Sequence, residues 1–71
     1  MGPMTPDLDN LFTYHPPKGD QVERYAKIRE AGLALARVIS ESTPPSADQS
    51  AAIRKVREAV MTANAAIACN E

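Results

Sequence analysis

The 71-residue sequence contains one cysteine, one histidine, three glycines and no tryptophan. A single cysteine forms no internal disulfide, and one histidine with one cysteine cannot supply the four ligands of a structural zinc site. A chain of this length buries only about 60% of the surface that its unfolded form exposes, so its own core provides marginal stability. We therefore expect no metal and no cofactor, and we expect self-association to supply the missing stability.

The chain also lacks an excess of positive charge and a long apolar run. Eight Lys and Arg residues stand against nine Asp and Glu residues, which gives a net charge of −1. This balance argues against a protein that binds duplex DNA or RNA, although it permits a small anionic ligand. Because no apolar run approaches about 18 residues, and no basic and apolar leader opens the sequence, we expect no membrane partner and an intracellular location.

The prolines divide the sequence into an arm and two long segments. Proline lacks a backbone donor and disfavours a helical residue before it, so the prolines between positions 3 and 17 predict an extended or irregular arm over residues 1–19. The arm still carries apolar side chains with which it can dock, namely Leu8, Leu11, Phe12 and Tyr14.

The first long segment has the pattern of an amphipathic helix over about residues 20–42. Asp20 and Glu23 have the spacing of a capping box, and Thr43-Pro44-Pro45 ends the segment. Apolar or small residues recur at steps of three and four, at Tyr25, Ile28, Gly32, Leu35 and Ile39. Glycine weakens a helix, so Gly32 predicts close approach by a neighbouring backbone.

The second long segment predicts a helix over about residues 46–69. Ser46 and Gln49 form another capping-box pattern, and a second stripe follows at Ile53, Val56, Val60, Ala63 and Ile67. The short connection allows the stripes to face each other, which predicts an all-α antiparallel two-helix hairpin. A further apolar set predicts an oligomer interface, since one facing helix cannot cover it: Leu33, Ala36, Val38, Ala52, Ala59, Met61 and Ala66.

The sequence offers little that indicates an enzyme. It contains no Ser-His-Asp set, no Gly-rich phosphate loop and no metal-ligand cluster. The acids Asp7, Asp9, Asp20 and Glu23 are explained by solubility and by helix capping. We therefore expect a binding or interaction protein.

Residues 14–19 form the densest polar and aromatic segment, with Tyr14, His15 and Lys18 close together. An aromatic face, an imidazole and a cation suit a nucleotide, although composition alone favours the simpler interpretation of an arm whose tyrosine packs on the hairpin. Arg29 follows near the start of the first helix, where the helix dipole slightly disfavours a cation, but Glu30 offers it a simple surface partner.

Asn64 lies beside the second apolar stripe, and its role is open. A buried asparagine needs partners for up to four hydrogen bonds, so Asn64 either sets the register of packed helices or contacts a ligand between subunits.

Five motifs of the chain occur together in a known family: Phe12–Gln21, Glu23–Tyr25, Ile28–Arg29, Glu58–Met61 and Ala63–Ala68. The first of these is far more specific than a generic helix pattern. Together they resemble the helical-hairpin domain of phage-encoded cyclic-nucleotide sponges, of which anti-CBASS proteins are the best-known members. A related hairpin occurs in anti-Thoeris sponges, which sequester a cyclic ADP-ribose-type signal.

The resemblance implies a non-enzymatic inhibitor that acts in the host bacterial cytoplasm during infection. It would bind cyclic dinucleotides such as 3′,3′-cGAMP without cleaving them, so that the CBASS effector stays inactive. It further implies a compact homohexamer with ligand pockets between protomers. At the matching positions Tyr14 would stack on a base and Arg29 would pair with phosphate, and we add His15 and Lys18 from the same motif.

Two positions depart from the pattern of the family. Thr62 stands where a bulky aromatic residue is expected, and Cys69 stands where an arginine is expected. Some members hold cyclic trinucleotides in separate pockets that use a basic residue near the C-terminus, so Cys69 puts that activity in doubt. Two alternatives remain: a sponge for a cyclic ADP-ribose signal, and an oligomeric interaction module that binds no small molecule.

Overall fold

A computed structural model of the chain describes residues 7–71, and in that range all regular structure is helical. The helices are α1 (Leu8–Phe12), α2 (Gln21–Ser42) and α3 (Ala47–Asn70). The predicted all-helical fold with a hairpin is confirmed, since α2 and α3 pack against each other. The part of the predicted arm formed by residues 1–6 lies outside the described residues. Among the described helices, none has the length and apolar character needed to cross a membrane.

The arm differs from the extended segment that the prolines predict, because it contains α1. The Asp7 carboxylate accepts a hydrogen bond from the Asn10 main-chain N–H at 3.2 Å, which caps this short helix. The Thr13 hydroxyl donates to the Asp9 carbonyl at the other end. Residues 14–18, which include both arm prolines of the described range, have no regular structure. In the described part of the arm, the irregular backbone that the prolines predict is therefore found after α1, around Pro16 and Pro17.

The start of α2 shows that the predicted capping box at Asp20 is wrong. Asp20 occupies the N-cap position, but its side chain makes no capping hydrogen bond and instead pairs with Arg24 at 3.2 Å. The chain turns at Gly19, whose φ of +59° lies in the left-handed region that favours glycine. The Lys18 carbonyl then accepts from the Gln21 main-chain N–H at 3.1 Å, so the turn rather than a cap defines the helix start.

The connection between the long helices is held by Gln49. As predicted, the Ser46 hydroxyl accepts a hydrogen bond from the Gln49 main-chain N–H at 3.1 Å. The Gln49 side chain, however, does not complete the capping box. Its amide donates to the carbonyls of Ser40 at 3.1 Å and Thr43 at 3.0 Å, so it ties the beginning of α3 to the end of α2.

The two long helices approach each other closely at Gly32. A Cβ atom added to Gly32 would lie 2.4 Å from Cγ2 of Val60, a distance that real Cβ atoms do not show. The close neighbour is thus a valine side chain, and the predicted approach by a backbone is corrected. Glycine at this position lets α2 accept a β-branched residue of α3 at short range.

The hairpin leaves most of its apolar surface open. Within residues 7–71 no apolar side chain is buried, and the stripe residues of both helices are only partly covered. Leu35, assigned by its spacing to the packed stripe, is 51% exposed. From the predicted interface set, Leu33, Val38 and Met61 are each more than half exposed. The exposed surface agrees with a chain that is too thin to form its own core.

We expect Gly32→Ala to destabilise the fold even though alanine is the better helix former. Overpacking typically costs about 1–3 kcal/mol, whereas the gain in helix propensity is about 0.5–1 kcal/mol. Denaturant unfolding at one fixed protein concentration measures the free energy of unfolding. A double-mutant cycle with Val60→Ala, which removes the clashing methyl groups, should show a favourable coupling between the two substitutions. Additive effects would contradict the close contact.

Candidate functional site

A groove of about 330 Å³ lies where the arm crosses the open end of the hairpin. Its lining combines an imidazole, an aromatic ring, a guanidinium and an amide with small residues: His15, Tyr25, Arg29, Asn64, Ala65 and Ala68. Tyr25 and Arg29 lie one turn apart on α2, so their side chains share a face. Ala65 and Ala68 occupy the facing turn of α3, where their small side chains leave the space open.

The orientation of His15 is set by the arm itself. Its Nε2 lies 2.7 Å from the Asn10 carbonyl oxygen, and because that oxygen can only accept, Nε2 carries the proton. In the neutral form of the ring, Nδ1 is then the nitrogen that can accept a hydrogen bond. The Asn10 side-chain amide donates to the Cys69 carbonyl at 2.9 Å, which fixes the arm to the end of α3.

A second, smaller cleft of about 200 Å³ adjoins the groove on the other side of His15. Lys18 borders this cleft and donates from Nζ to the main-chain oxygen of Glu71 at 2.7 Å. An ammonium group has three donor hydrogens, so Lys18 keeps capacity for a further acceptor. The cleft and the groove share His15 and Ala68, so the two adjoin each other.

The arm and both long helices meet in a polar cluster formed by Lys18, Gln21, Arg24 and Glu71, which we call the clasp. Gln21 accepts from the Lys18 main-chain N–H at 3.1 Å and donates to Glu71 Oε1 at 3.3 Å. Arg24 contacts both carboxylate oxygens of Glu71, with Nη1 2.8 Å from Oε2. Gln21 is 4% exposed, which makes it the only buried residue between positions 7 and 71.

The clasp changes the acidity of its charged members. Hydrogen bonds from Arg24 lower the pKa of the Glu71 carboxyl from 4.5 to about 2, and the Gln21 amide contributes to the same shift. The hydrogen bond with Glu71 in turn raises the pKa of Arg24. Both groups therefore stay ionised at neutral pH, as a bidentate arginine–carboxylate pair requires.

Arg29 is the cation of the groove, and it differs from Arg24 in having no acidic partner. None of the carboxylates in residues 7–71 forms an ion pair with it, including the Glu30 expected from the sequence. It also borders a largely apolar cleft of about 240 Å³ with Gly32 and Arg57. A cation without an internal counterion is available to an anionic ligand.

A family model described as "Acb2/Tad1, hairpin domain" matches residues 4–68, which is nearly the whole chain. The chain belongs to the Acb2/Tad1 hairpin family. This is the family of anti-CBASS and anti-Thoeris sponge proteins, so the resemblance predicted over roughly residues 10–70 is confirmed. Searches of curated proteins and of solved structures gave no significant match.

In this Acb2/Tad1 hairpin, three of the four predicted ligand residues lie at the groove or at the adjoining cleft. Arg29 and His15 border the same groove, and Lys18 borders the adjoining cleft. Tyr14 does not line the groove, and the residue is 80% exposed. Sequence reasoning missed Tyr25, because its place in the apolar stripe fully explained it.

No cluster of metal-ligating side chains occurs in the part of the chain that the structure describes.

We expect an NMR titration of the Glu71 side-chain carboxyl carbon to give a midpoint near pH 2, because Arg24 stabilises the ionised form. The contribution of the clasp to stability is complete above about pH 4.5 and is lost as the pH falls towards 2. In Arg24→Gln the midpoint should return towards 4.5. Arg37→Gln, on the same helix and outside the clasp, should leave it unchanged. A wild-type midpoint already near 4.5 would show that the clasp does not form in solution.

Proposed function

We propose that this chain is a phage-encoded sponge that binds and sequesters cyclic dinucleotide immune signals, such as 3′,3′-cGAMP, without cleaving them. Family membership supports a sponge-type anti-defence protein. The observation that carries the finer proposal is the groove, where an unpaired guanidinium, a tyrosine ring and an imidazole ring line one space. Acting in the host cytoplasm, the sponge would leave the CBASS effector without its activator.

The chemistry of the groove matches that of a cyclic dinucleotide. Such a ligand carries two phosphodiester anions, bases with flat faces, and ribose hydroxyls that donate hydrogen bonds. In our proposal Arg29 pairs with a phosphate through its planar fork, and Lys18 adds positive charge from the adjoining cleft. His15 accepts a hydrogen bond at Nδ1. Binding requires no reacting group, so we propose that the protein is not an enzyme.

We further propose that the working form is a homo-oligomer, a hexamer by analogy with the family. The open groove and the uncovered apolar residues support this, because a second copy would cover both. The exposed ring of Tyr14 is then free to stack on a base held between protomers. A pocket enclosed by two rigid copies orders its ligand at low cost, which suits the nanomolar affinity, about −12 kcal/mol, that a stoichiometric sponge needs.

A second candidate ligand is a cyclic ADP-ribose signal, because the family includes anti-Thoeris as well as anti-CBASS sponges. That ligand also carries anionic phosphates and an adenine ring, so the same groove could hold it. Cyclic trinucleotides are a weaker candidate, since Cys69 replaces the basic residue that such pockets use. The remaining alternative, an interaction module without a ligand, rests on the exposed apolar surface alone.

Native mass spectrometry with a mixture of cyclic dinucleotides, cyclic trinucleotides and ADP-ribose isomers tests the proposal. We expect an oligomer that gains intact ligand masses, and heating should release the ligand unchanged. Gain of only an ADP-ribose isomer would transfer the function to the second candidate. An oligomer that gains no ligand would favour the interaction module.

Isothermal titration calorimetry with the retained ligand tests Arg29. We expect Arg29→Ala to remain folded and oligomeric while it loses at least about tenfold in affinity, because one charge-assisted contact to phosphate is lost. Arg37→Ala removes the same charge from the same helix outside the groove and should bind normally. If Arg29→Ala elutes as a monomer from a sizing column, Arg29 serves assembly and not phosphate binding.

A further inference from the structure

We propose that Asn64 determines the base specificity of the groove by hydrogen-bonding the edge of an adenine. The inference rests on the proposed function, because it names the base that the sponge recognises. Its basis is the hydrogen-bonding state of the Asn64 amide, together with the side chains that surround it.

The Asn64 side chain makes no hydrogen bond with any residue in the range 7–71. Its Oδ1 is buried without a partner, although Asn64 lies in the wall of the groove. Buried carbonyl oxygens are almost always paired in folded proteins, and leaving one unpaired is unfavourable. The folded chain therefore holds an amide whose donor and acceptor are both unused.

A role for Asn64 in fixing the register of the helices explains its unpaired amide less well than ligand binding does. An asparagine that sets register does so by hydrogen-bonding a partner helix, and Asn64 forms no such bond with α2. The neighbouring groove residues on α3, Ala65 and Ala68, offer it no polar side chain. The other asparagine of α3 behaves differently, because Asn70 donates to the Ala66 carbonyl at 2.9 Å.

The unused donor and acceptor of the Asn64 amide match adenine better than guanine. Adenine presents a donor and an acceptor side by side, N6–H₂ and N7, which an asparagine amide binds with two hydrogen bonds. Guanine presents two acceptors at the same edge, O6 and N7, and would leave Asn64 Oδ1 unpaired. Because neither amide atom is held by the protein, rotation about χ2 can present both to the groove.

The other groove residues are compatible with a base at this position. Tyr25 lies on the facing helix and supplies an aromatic ring to the same space. Arg29, one turn further along α2, is available for the phosphate attached to the nucleotide. An adenine against Asn64 therefore leaves the proposed role of Arg29 unchanged.

The experiment is calorimetry of the full chain with 3′,3′-cyclic di-AMP and 3′,3′-cyclic di-GMP. We expect the wild type to prefer cyclic di-AMP by about tenfold or more, as one bidentate contact allows. Asn64→Leu, of similar size and without hydrogen-bonding groups, should remove this preference while the oligomer and the helix content stay unchanged. Asn64→Asp, which loses the donor but keeps an acceptor, should weaken binding of both dinucleotides while cyclic di-AMP stays preferred, because guanine offers a carboxylate no donor at this edge. Asn70→Asp is the matched control on the same helix and should keep the wild-type preference.

The ligand-free thermal melt separates a ligand role from a structural one. Replacing an unpaired amide with leucine should leave the midpoint equal to or above that of the wild type. A monomeric or strongly destabilised Asn64→Leu would show that Asn64 sets the register and would overturn the inference. Unchanged base preference in Asn64→Leu would also overturn it while leaving the sponge intact. A wild type that binds neither dinucleotide would contradict the proposed function together with the inference.

Discussion

The arrangement of the functional end of this chain depends on the side chain of Gln21. It joins three segments at once, because it accepts from the arm at Lys18 and donates to Glu71 at the end of α3 while its own backbone begins α2. A buried glutamine is stable only when such partners are present. Here they also fix where the arm crosses α3, and through the arm they fix His15 at the boundary between the groove and the adjoining cleft.

The two long helices contribute rigidity rather than a closed core. Gly32 lets Val60 approach α2 closely, and Gln49 fastens the opposite end of the hairpin. Between these points the stripe residues remain only partly covered, and large apolar side chains such as Leu33 and Met61 face outward. The hairpin thus has well-defined positions for its groove residues and an outer surface suited to further packing.

Periodicity and proline placement were sufficient to predict two helices and their antiparallel pairing, since the apolar stripes and the Pro44-Pro45 connection are local signals. The predicted N-cap at Ser46 was right, although the Gln49 side chain does not complete the capping box. The capping box at Asp20 was wrong, because the Asp20 carboxylate pairs with Arg24 and not with the helix N-terminus. The clasp could not be predicted, since it joins residues 47 positions apart in the sequence. Tyr25 was missed for a related reason: a residue at the edge of an apolar stripe can also border a groove, and spacing alone does not separate the two.

The attachment of the arm has a thermodynamic consequence. Its contacts with the hairpin are mainly hydrogen bonds and one ion-pair cluster, while Leu8, Leu11 and Phe12 are already 65%, 52% and 86% exposed. The heat-capacity change of an unfolding step comes chiefly from apolar surface that becomes newly hydrated. Release of the arm from a single chain would hydrate little additional apolar surface, so its equilibrium constant would follow a nearly linear van 't Hoff plot. The separation of α2 from α3 would instead give a van 't Hoff plot with the curvature typical of hydrophobic unfolding.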